Sequence, residues 1–534
     1  MAPFLKIFGF SLFALLAPDL SLFGQSVIPH IEWAKSFGGS DIDQAQSIEQ
    51  TSDKGYIIAG SSYSNDLDIV GHHGSIDNPD CWIVKLDSNG ILDWQRSLGG
   101  TADDVANSIK QTPDGGYIVA GYSTSKNFDV TGNHGKEDYW VVRLDGNGKI
   151  IWQKSFGGSR SDRAYAVELT GDDGFVVAGY SSSNDGDVTK HHGDTTNTDY
   201  WIIKLDSSGN IKWQKSLGGY NDDVAYSIRQ TADRGLIIAG SSYSVDTVGG
   251  DNNFSHGTVD FWVVKLDSMG VLKWQRSYGG SQFDEAYSID LTSDGGYIAA
   301  GYSTSNDGDV THNNGLSDFW IIKLDSIGNL KWQRSFGGSS TDAALSVKQT
   351  FDGGFIIAGN NDSSTISGNH GGNDYYIVKL DSLGKLQWQK TLGGPGEEFA
   401  LCIRQTADSG YVVAGSSDFD GGDVQGNHNH EDFWIVKLGN KQVNDVKTVK
   451  NTSNTFTNFP NPFSDKTIIV LPDAAKTISF LFLYDLPGKE LRRISIPEGS
   501  NEIAIERREL PSGVFVYRIV REGIIIGTGN LVIH

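Results

Sequence analysis

The sequence is poor in cysteine and proline and has no long apolar run after its N-terminus. Its two cysteines, Cys81 and Cys402, indicate neither a disulfide framework nor a metal site, and we interpret both as core residues. No later run reaches the roughly 18 apolar residues of a membrane-spanning helix. Twelve prolines against 66 glycines, with 11% aromatic residues, indicate short strands and tight turns rather than disorder.

Basic residues are also in deficit. The chain has 43 Lys and Arg against 66 Asp and Glu, a net charge of −23. The excess of acid lies before residue 441, because residues 451–534 are balanced. Such a body repels phosphate backbones, so we expect no nucleic acid partner; cations, sugars and basic proteins remain compatible.

The N-terminal segment "MAPFLKIFGFSLFALLAPDLSLFGQS" has one early lysine, Lys6, and an apolar run from Ile7 to Ala17. The run is too short for a membrane span, and its position is typical of a secretory signal peptide. We therefore predict a signal peptide over residues 1–25.

A repeat of 56 to 61 residues fills the body of the chain, marked by tryptophans at positions 33, 94, 152, 213, 274, 332 and 388. Periods of this size predict a solenoid or propeller. Each unit has four strand-like runs, and its length varies only in one loop before the "DxW" run. An alanine stands twelve residues after every tryptophan, which predicts that this strand lines a crowded axis.

The phase of the repeat predicts how the ring closes. The first tryptophan run, Ile31–Phe37, has no earlier partner strand, whereas the last unit lacks a tryptophan strand. We therefore expect an all-β chain whose residues 26–438 form a seven-bladed β-propeller closed by its own first strand. The pattern "KLDxxGxxxWxxSxGGxxxDxAxSIxxTxDGGYIxAG" resembles the SBBP family of seven-bladed propeller repeats and is similar in strand phase to NHL repeats. That resemblance implies a fold and no particular activity.

After a polar linker at residues 439–456, the segment 457–534 has the short apolar runs of a small, Ig-like β-sandwich. Its phrases "NFPNPFSD", "LYDLPGKEL" and "LPSGVFVYRI" resemble the type A sorting domain of type IX secretion cargo. The resemblance implies the secretion machinery as partner, and a location outside or on the outer membrane of a Gram-negative bacterium. The residues that match the sorting motif are Pro460, Asn461, Pro462, Tyr484, Asp485, Gly488, Lys489 and Gly513.

An acidic residue stands ten positions after every tryptophan. It forms either an acidic ring at the channel mouth that binds a ligand, or an acceptor for backbone N–H groups of the adjacent "GGSxx" turn. These residues are Asp43, Asp104, Asp162, Asp223, Asp284, Asp342 and Glu398.

The variable loop repeats a phrase such as "SNDGDVTKHHG" that is rich in Asp, Asn and His. Its carboxylates could ligate calcium, the one cofactor that the sequence suggests, or could serve Asx turns. The candidate ligands are Asp185, Asp187, Asp307, Asp309, Asp420 and Asp423. An aligned histidine is predicted to hydrogen-bond a neighbouring blade, at His73, His134, His192, His256, His370 and His428, with Asn314 in the fifth unit.

No catalytic motif is present: GxSxG, HExxH, a P-loop and a cysteine nucleophile are all missing. The blades are also nearly identical, whereas an active site would break their symmetry. We therefore favour a monomeric, non-enzymatic binding propeller for a glycan or protein ligand, working on the face of the variable loops. One alternative is a carbohydrate-active enzyme, a glycosidase or lyase with two channel carboxylates. The other is a quinoprotein-like redox protein, since "LDSSGNIKW" is similar to quinoprotein repeats.

Overall fold

The computed structural model describes residues 28–243, 251, 255–428, 430–439, 457–471, 479–484, 490–508, 510–521 and 524–534. The predicted signal peptide and nearly all of the predicted linker lie outside these ranges. The described residues form no helix that could cross a membrane. The chain divides into two compact units, Met1–Asn440 and Lys441–His534.

The first unit contains seven antiparallel sheets of four strands each. The strands of blades 1 to 4 are β2 (Asp43–Gln50), β3 (Tyr56–Ser62), β4 (Asp80–Leu86) and β5 (Leu92–Leu98); β6 (Asp104–Gln111), β7 (Tyr117–Ser123), β8 (Asp138–Leu144) and β9 (Ile150–Phe156); β10 (Asp162–Leu169), β11 (Phe175–Ser181), β12 (Asp199–Leu205) and β13 (Ile211–Leu217); β14 (Asp223–Gln230), β15 (Leu236–Ser242), β16 (Asp260–Leu266) and β17 (Leu272–Tyr278). Those of blades 5 to 7 are β18 (Asp284–Leu291), β19 (Tyr297–Ser303), β20 (Asp318–Leu324) and β21 (Leu330–Phe336); β22 (Asp342–Gln349), β23 (Phe355–Asn361), β24 (Asp374–Leu380) and β25 (Leu386–Leu392); β26 (Glu398–Gln405), β27 (Tyr411–Ser417), β28 (Asp432–Gly439) and β1 (His30–Phe37).

These sheets form a closed ring. The first strand of each blade contacts the first strands of both neighbours, and β26 of the last blade contacts β2 of the first. The seventh sheet has the order β1-β28-β27-β26, so the N-terminal strand completes the last blade. The described strands thus form a ring of seven four-stranded blades, and the N-terminal strand lies at the outer edge of the last one.

The blades pack because their second and third strands are apolar on both faces. Every residue of β4, β8, β12 and β16 is buried, as expected for sheets covered on both sides. The "DxW" tryptophan lies between blades: the rings of Tyr139 and Trp201 are 4.6 Å apart, and Tyr139 Oη donates to the Trp201 carbonyl at 2.7 Å. Such contacts combine area burial with specific aromatic geometry.

A buried cation anchors the turn after the first strand of each blade. Lys379 Nζ, for example, donates to the Leu380 carbonyl at 3.0 Å and to Asp352 at 2.9 Å. The Asp352 carboxylate also accepts a hydrogen bond from the Gly354 amide at 3.0 Å. The repeat keeps this Lys or Arg and this Asp because each neutralises the other in the blade edge.

The second unit has a three-stranded sheet, β29-β30-β33, and a four-stranded sheet, β32-β31-β34-β35. Its strands are β29 (Thr457–Phe459), β30 (Lys466–Val470), β31 (Ser479–Tyr484), β32 (Glu490–Ile496), β33 (Glu502–Glu506), β34 (Gly513–Arg521) and β35 (Ile524–Ile533). One apolar core includes Ile469, Leu481, Ile505 and Leu531 from both sheets. Two runs that look separate in the sequence, "GIIIGTG" and "NLVIH", form the single strand β35.

Candidate binding site at the mouth of the central channel

A β-bulge interrupts the innermost strand of every blade. In each case the pairing with the second strand skips one residue, the one directly after the repeated alanine. In that strand the bulged residue is half-buried while its two neighbours are mostly buried, so it faces the channel. Bulges re-aim side chains and recur beside binding sites. The bulged residues are Gln46, Asn107, Tyr165, Tyr226, Tyr287, Leu345 and Leu401.

The bulge positions do not obey the repeat. Three consecutive blades carry tyrosine there, and we call Tyr165, Tyr226 and Tyr287 the tyrosine arc. Adjacent rings of the arc lie 5.0 Å and 4.9 Å apart, each pair tilted by 52°. Two further tyrosines pack behind its ends: Tyr180 lies 6.0 Å from Tyr165, and Tyr302 lies 6.1 Å from Tyr287.

The arc has a carboxylate at one end and an ion pair at the other. On blade 5 the buried Glu285 accepts hydrogen bonds at 3.0 Å from the hydroxyls of Tyr243 and Tyr287. On blade 3 the Arg163 guanidinium donates to Glu137 at 2.6 Å and lies 4.4 Å from the ring of Tyr122. Both charged residues precede the alanine of their strand, so they share the channel-mouth end of the blade with the arc.

The phenols of this region stay protonated at physiological pH. Burial raises the pKa of Tyr243 to about 12, and the charge of Glu285 adds to the effect. Burial likewise raises the pKa of Tyr226 and Tyr287. The arc therefore presents aromatic rings with hydroxyl groups that can donate hydrogen bonds.

The seven repeated acids do not form an open acidic ring. Asp43, Asp104, Asp162, Asp223, Asp284, Asp342 and Glu398 are all fully buried. Asp43 Oδ2 accepts from the Gly39 amide at 2.7 Å and from the Ser64 hydroxyl at 3.0 Å. This geometry departs from the interpretation as a binding ring, because the carboxylate is fully buried and its Oδ2 accepts hydrogen bonds from within the protein.

A second buried carboxylate lies beside each of these acids, at the start of the third strand of the preceding blade. Between them lies the first glycine of the "GG" pair: a Cβ on Gly279 would approach Asp260 Oδ1 to 2.5 Å and Asp284 Oδ2 to 2.6 Å. The glycine is required because any side chain would collide with both carboxylates. Each blade junction thus holds two neighbouring buried acids.

The aligned histidines contact the second acid, which belongs to their own blade and not to a neighbouring one as predicted; His192 of blade 3 also lies 3.6 Å from Asp251 of blade 4. His134 Nδ1 lies 2.8 Å from Asp138 Oδ2, and both residues belong to blade 2. The loop folds back onto the strand that follows it, which brings the two side chains together. Asn314 in blade 5 makes the same contact, with Nδ2 2.9 Å from Asp318 Oδ2.

The six candidate calcium ligands lie in the variable loops, where their oxygens or amides hold turns. Asp185 Oδ1 accepts from the Ser159 amide at 2.7 Å, and Asp187 Oδ2 from the Gly157 amide at 3.3 Å. Asp307 and Asp309 repeat these contacts in blade 5. In blade 7, Asp420 Oδ1 accepts from the Gly426 amide, while the Asp423 amide donates to the Gly393 carbonyl. Across the described residues, no three His, Cys, Asp or Glu side chains are grouped to hold a metal.

Sequence reasoning missed the tyrosine arc. The repeat was aligned on its constant positions, whereas the arc occupies a position that changes from amide to tyrosine to leucine around the ring. The signal for it in the sequence is a repeat position that has the same residue in several neighbouring blades and a different residue in the rest.

A cleft of about 480 Å³ lies at the opposite end of blades 2 and 3, lined among others by Pro113, Trp152 and Phe175. Its walls are tryptophan, turn and anchor residues that recur in the other blades. It therefore lacks the departure from symmetry that marks the arc.

The motif residues of the C-terminal unit tie its first segment to its last strand. Asn461 Oδ1 accepts from the Val532 amide at 2.7 Å, and its Nδ2 donates to the Asn530 carbonyl at 3.0 Å. Tyr484 ends β31 and Gly513 begins β34. Pro460 and Pro462 flank Asn461, whereas Asp485, Gly488 and Lys489 lie outside the described residues.

Fold and sites together define a β-propeller joined to a small export domain. Residues 457–533 match the family model described as secretion system C-terminal sorting domain. The match implies export through the type IX secretion system and contact with its machinery.

Comparison with characterised proteins adds little on activity. Regulatory protein FlaEY of Caulobacter vibrioides is 27% identical over 209 residues, which cover 36% of this chain and only 22% of that protein. The WD40 domain of Neurospora crassa Pan2 covers 73% of this chain and 88% of its own at 11% identity, with a TM-score of 0.42. YCF48 bound to D1 peptide covers 78% and 99% at 10% identity, with a TM-score of 0.37. These scores are low, and the closed ring of sheets itself establishes the propeller.

Proposed function

We propose that the protein is a secreted or cell-surface binding protein, without catalytic activity, that holds an extracellular ligand at the tyrosine arc. The observation that supports this proposal is a break in the symmetry of the repeat: three neighbouring blades have tyrosine at the bulge, where the other four have an amide residue or leucine. Folding alone does not require this position to be tyrosine in one group of neighbouring blades and a different residue in the others.

The chemistry of the arc favours a glycan. Half-buried aromatic rings offer apolar surface to the faces of sugar rings, while protonated phenols, Glu285 and Arg163 offer donors and acceptors for hydroxyl groups. Gln46 and Asn107 occupy the bulges on the amide side of the ring. An acidic protein repels polyanions, which favours a neutral glycan.

The proposal can be tested on a glycan array with the purified protein and three variants. Tyr226→Leu places at the centre of the arc the residue that blades 6 and 7 carry at the same bulge, so the blade should still fold. Loss of one stacking ring should weaken binding about tenfold, which corresponds to ~1.4 kcal/mol. Leu401→Tyr, the reverse exchange on blade 7, which is not adjacent to the arc, is the matched control and should leave binding within about twofold.

The third variant addresses catalysis. Glu285→Gln keeps one acceptor for the tyrosine hydroxyls but removes the carboxylate. If the wild type released sugar from a bound glycan and this variant did not, the protein would be a carbohydrate-active enzyme. Binding of a peptide library in place of every glycan would leave the site but change its ligand, and equal binding by wild type and Tyr226→Leu would refute the site.

A further inference from the structure

A ring of charged side chains lines the central channel nearer its other end. Sixteen residues after each tryptophan stands a charged residue, three positions beyond the bulge, or roughly 10 Å along the strand. All seven are half-buried in strands whose preceding two residues are mostly buried, so they face the channel. We call this the channel ring; it consists of Glu49, Lys110, Glu168, Arg229, Asp290, Lys348 and Arg404.

The charges of the channel ring alternate, and neighbouring blades form ion pairs. Lys110 lies 2.7 Å from Glu49 and 3.9 Å from Glu168. Arg229 lies 3.2 Å from Glu168 and 3.0 Å from Asp290, which in turn lies 3.1 Å from Lys348. Because seven is odd, alternation must fail once, and it fails between Lys348 of blade 6 and Arg404 of blade 7.

The inner strands that carry Lys348 and Arg404 are in the same register as inner strands that carry an ion pair at another junction. The Ile109 amide donates to the Ser47 hydroxyl at 3.4 Å where Lys110 meets Glu49. Between blades 6 and 7, the Ile403 amide donates to the Ser346 hydroxyl at 3.2 Å. The same bond between blades brings position 404 alongside position 348.

At two other junctions the acid of the channel ring makes an ion pair and also accepts a backbone hydrogen bond. Glu49 pairs with Lys110 through Oε1 and accepts from the Gln111 amide through Oε2 at 2.9 Å. Asp290 pairs with Lys348 through Oδ1 and accepts from the Gln349 amide through Oδ2 at 3.2 Å. The corresponding donors in blade 7 are the Arg404 guanidinium and the Gln405 amide, where the preceding blade supplies a lysine instead of an acid.

Arg404 differs from its counterpart Arg229 in its partners. Both donate to the carbonyl of the preceding isoleucine, at 2.8 Å and 3.0 Å. Arg229 also has two carboxylates within 3.2 Å, whereas among the described residues no carboxylate lies within ion-pair distance of Arg404. Its nearest acid along the ring, Glu49, is paired with Lys110. Burial alone would raise the pKa of Glu49, but the charges of Lys110 and, from beyond ion-pair distance, Arg404 lower it.

We propose that the junction of blades 6 and 7 binds a small oxyanion, a carboxylate or phosphate group, between Lys348 and Arg404. The anion takes the place that an acidic side chain occupies at the other junctions: it pairs with both cations and accepts from the Gln405 amide. Two oxygens on one centre match the fork of a guanidinium. This site is separate from the tyrosine arc and does not depend on the function proposed for it.

The test uses the full-length protein with sodium phosphate at constant ionic strength, balanced with sodium chloride. Phosphate that binds only the folded state raises the unfolding temperature, and calorimetric titration gives its affinity. Arg404→Gln and Lys348→Gln should each weaken phosphate binding at least tenfold. Tyr226→Leu should leave it unchanged, which separates this site from the arc.

Stability without phosphate provides a second measurement. Arg404→Gln removes a cation that has no carboxylate within ion-pair distance among the described residues, so at low salt it should lower the unfolding temperature less than Arg229→Gln does. Arg229→Gln removes the partner of Glu168 and Asp290 and should lower it. If Arg229→Gln does not fold, Lys110→Gln gives the same comparison, because it leaves Glu49 unpaired.

A response to acetate as strong as that to phosphate would support a carboxylate as the natural group, whereas a response to phosphate alone would support a phosphate. The proposal is refuted if chloride at the same ionic strength stabilises the protein equally. It is refuted as well if Arg404→Gln and Lys348→Gln both retain the phosphate response of the wild type.

Discussion

Ser36 lies opposite Trp434 in the antiparallel pair that joins the first described strand of the chain to the last strand of the propeller. Through this pairing β1 covers the outer edge of blade 7. Glu32 adds an ion pair at 3.2 Å to Lys437, and the Trp33 ring packs edge-on against Tyr56 of blade 1 at 5.6 Å. The strand that closes one blade thus also holds the next.

Removal of this strand should destabilise the whole ring. A variant that begins at Ser40 loses the β1–β28 pairing and leaves Lys437 without one of its two acids. Its unfolding temperature should fall by several degrees, and the exposed edge of β28 should promote association. Thermal unfolding and light scattering measure both effects. A variant that begins at Ile28 is the control, and equal unfolding temperatures for the two would argue against closure by β1.

The repeat made most of this fold predictable. Constant spacings fixed the strands, and the unpaired runs at the two ends of the array indicated how the ring closes. The sorting domain was predictable from its phrases, but its last strand was not, because a glycine-rich stretch that looks like a turn continues as β35.

The sites were less predictable, because they depend on contacts between blades. His134 binds Asp138 of its own blade only because the loop folds back, which no spacing reveals. The tyrosine arc and the channel ring are columns of residues about 60 positions apart in the sequence. They become neighbours once the inner strands of adjacent blades are in register. Both proposed sites rest on the differences in residue type between blades at these positions.

Export should depend on the C-terminal unit. Deletion of residues 457–534 should leave the propeller folded but retained in the periplasm, because the chain divides into two compact units and the second is the sorting domain. Cell fractionation with immunodetection measures the location. A milder variant, Asn461→Ala, removes the hydrogen bonds to Val532 and Asn530 and should reduce export. Lys466→Ala, at an exposed position, is its control. Normal secretion of the deleted protein would rule out this role.

The two neighbouring buried acids at each blade junction, here called the junction acids, should make the protein more stable at mildly acidic than at alkaline pH. Burial raises the pKa of Asp342 to about 7, and the neighbouring charge of Asp318 adds to the effect. A raised native pKa means that the folded state binds more protons than the unfolded state between about pH 4 and pH 7. This contribution is complete below pH 4 and is lost as the pH rises through 7.

The turn aspartates that pair with the buried Lys or Arg of each blade, such as Asp294 with Lys323, have the opposite effect on the pH dependence of stability. Burial alone would raise the pKa of Asp294, but the hydrogen bonds from Thr292 and Lys323 outweigh it and hold the pKa at about 2. Their contribution is present above pH 4 and is lost as the pH falls through 2. The unfolding temperature should therefore peak near pH 4–5 and fall by at least about 2 °C by pH 8.

Two variants separate these contributions. Asp342→Asn should reduce the decline between pH 5 and pH 8, because an amide cannot ionise. Asp294→Asn should destabilise the protein at pH 5 but make much less difference at pH 2, where about half of the wild-type carboxyl groups are protonated. A stability that rises steadily from pH 5 to pH 8 in the wild type would contradict the assignment of the junction acids.

The loop aspartates should serve the turns without calcium. Asp185 Oδ1 accepts from the Ser159 amide at 2.7 Å, and in blade 2 an asparagine does the same work, with Asn127 Oδ1 3.0 Å from the Thr101 amide. Asp185→Asn should therefore leave the unfolding temperature nearly unchanged. Asp185→Ala should lower the unfolding temperature, because it removes the acceptor for the Ser159 amide. Both are measured by thermal unfolding with and without a calcium chelator, and a marked loss of stability on chelation that Asp185→Asn abolishes would show instead that these carboxylates bind calcium.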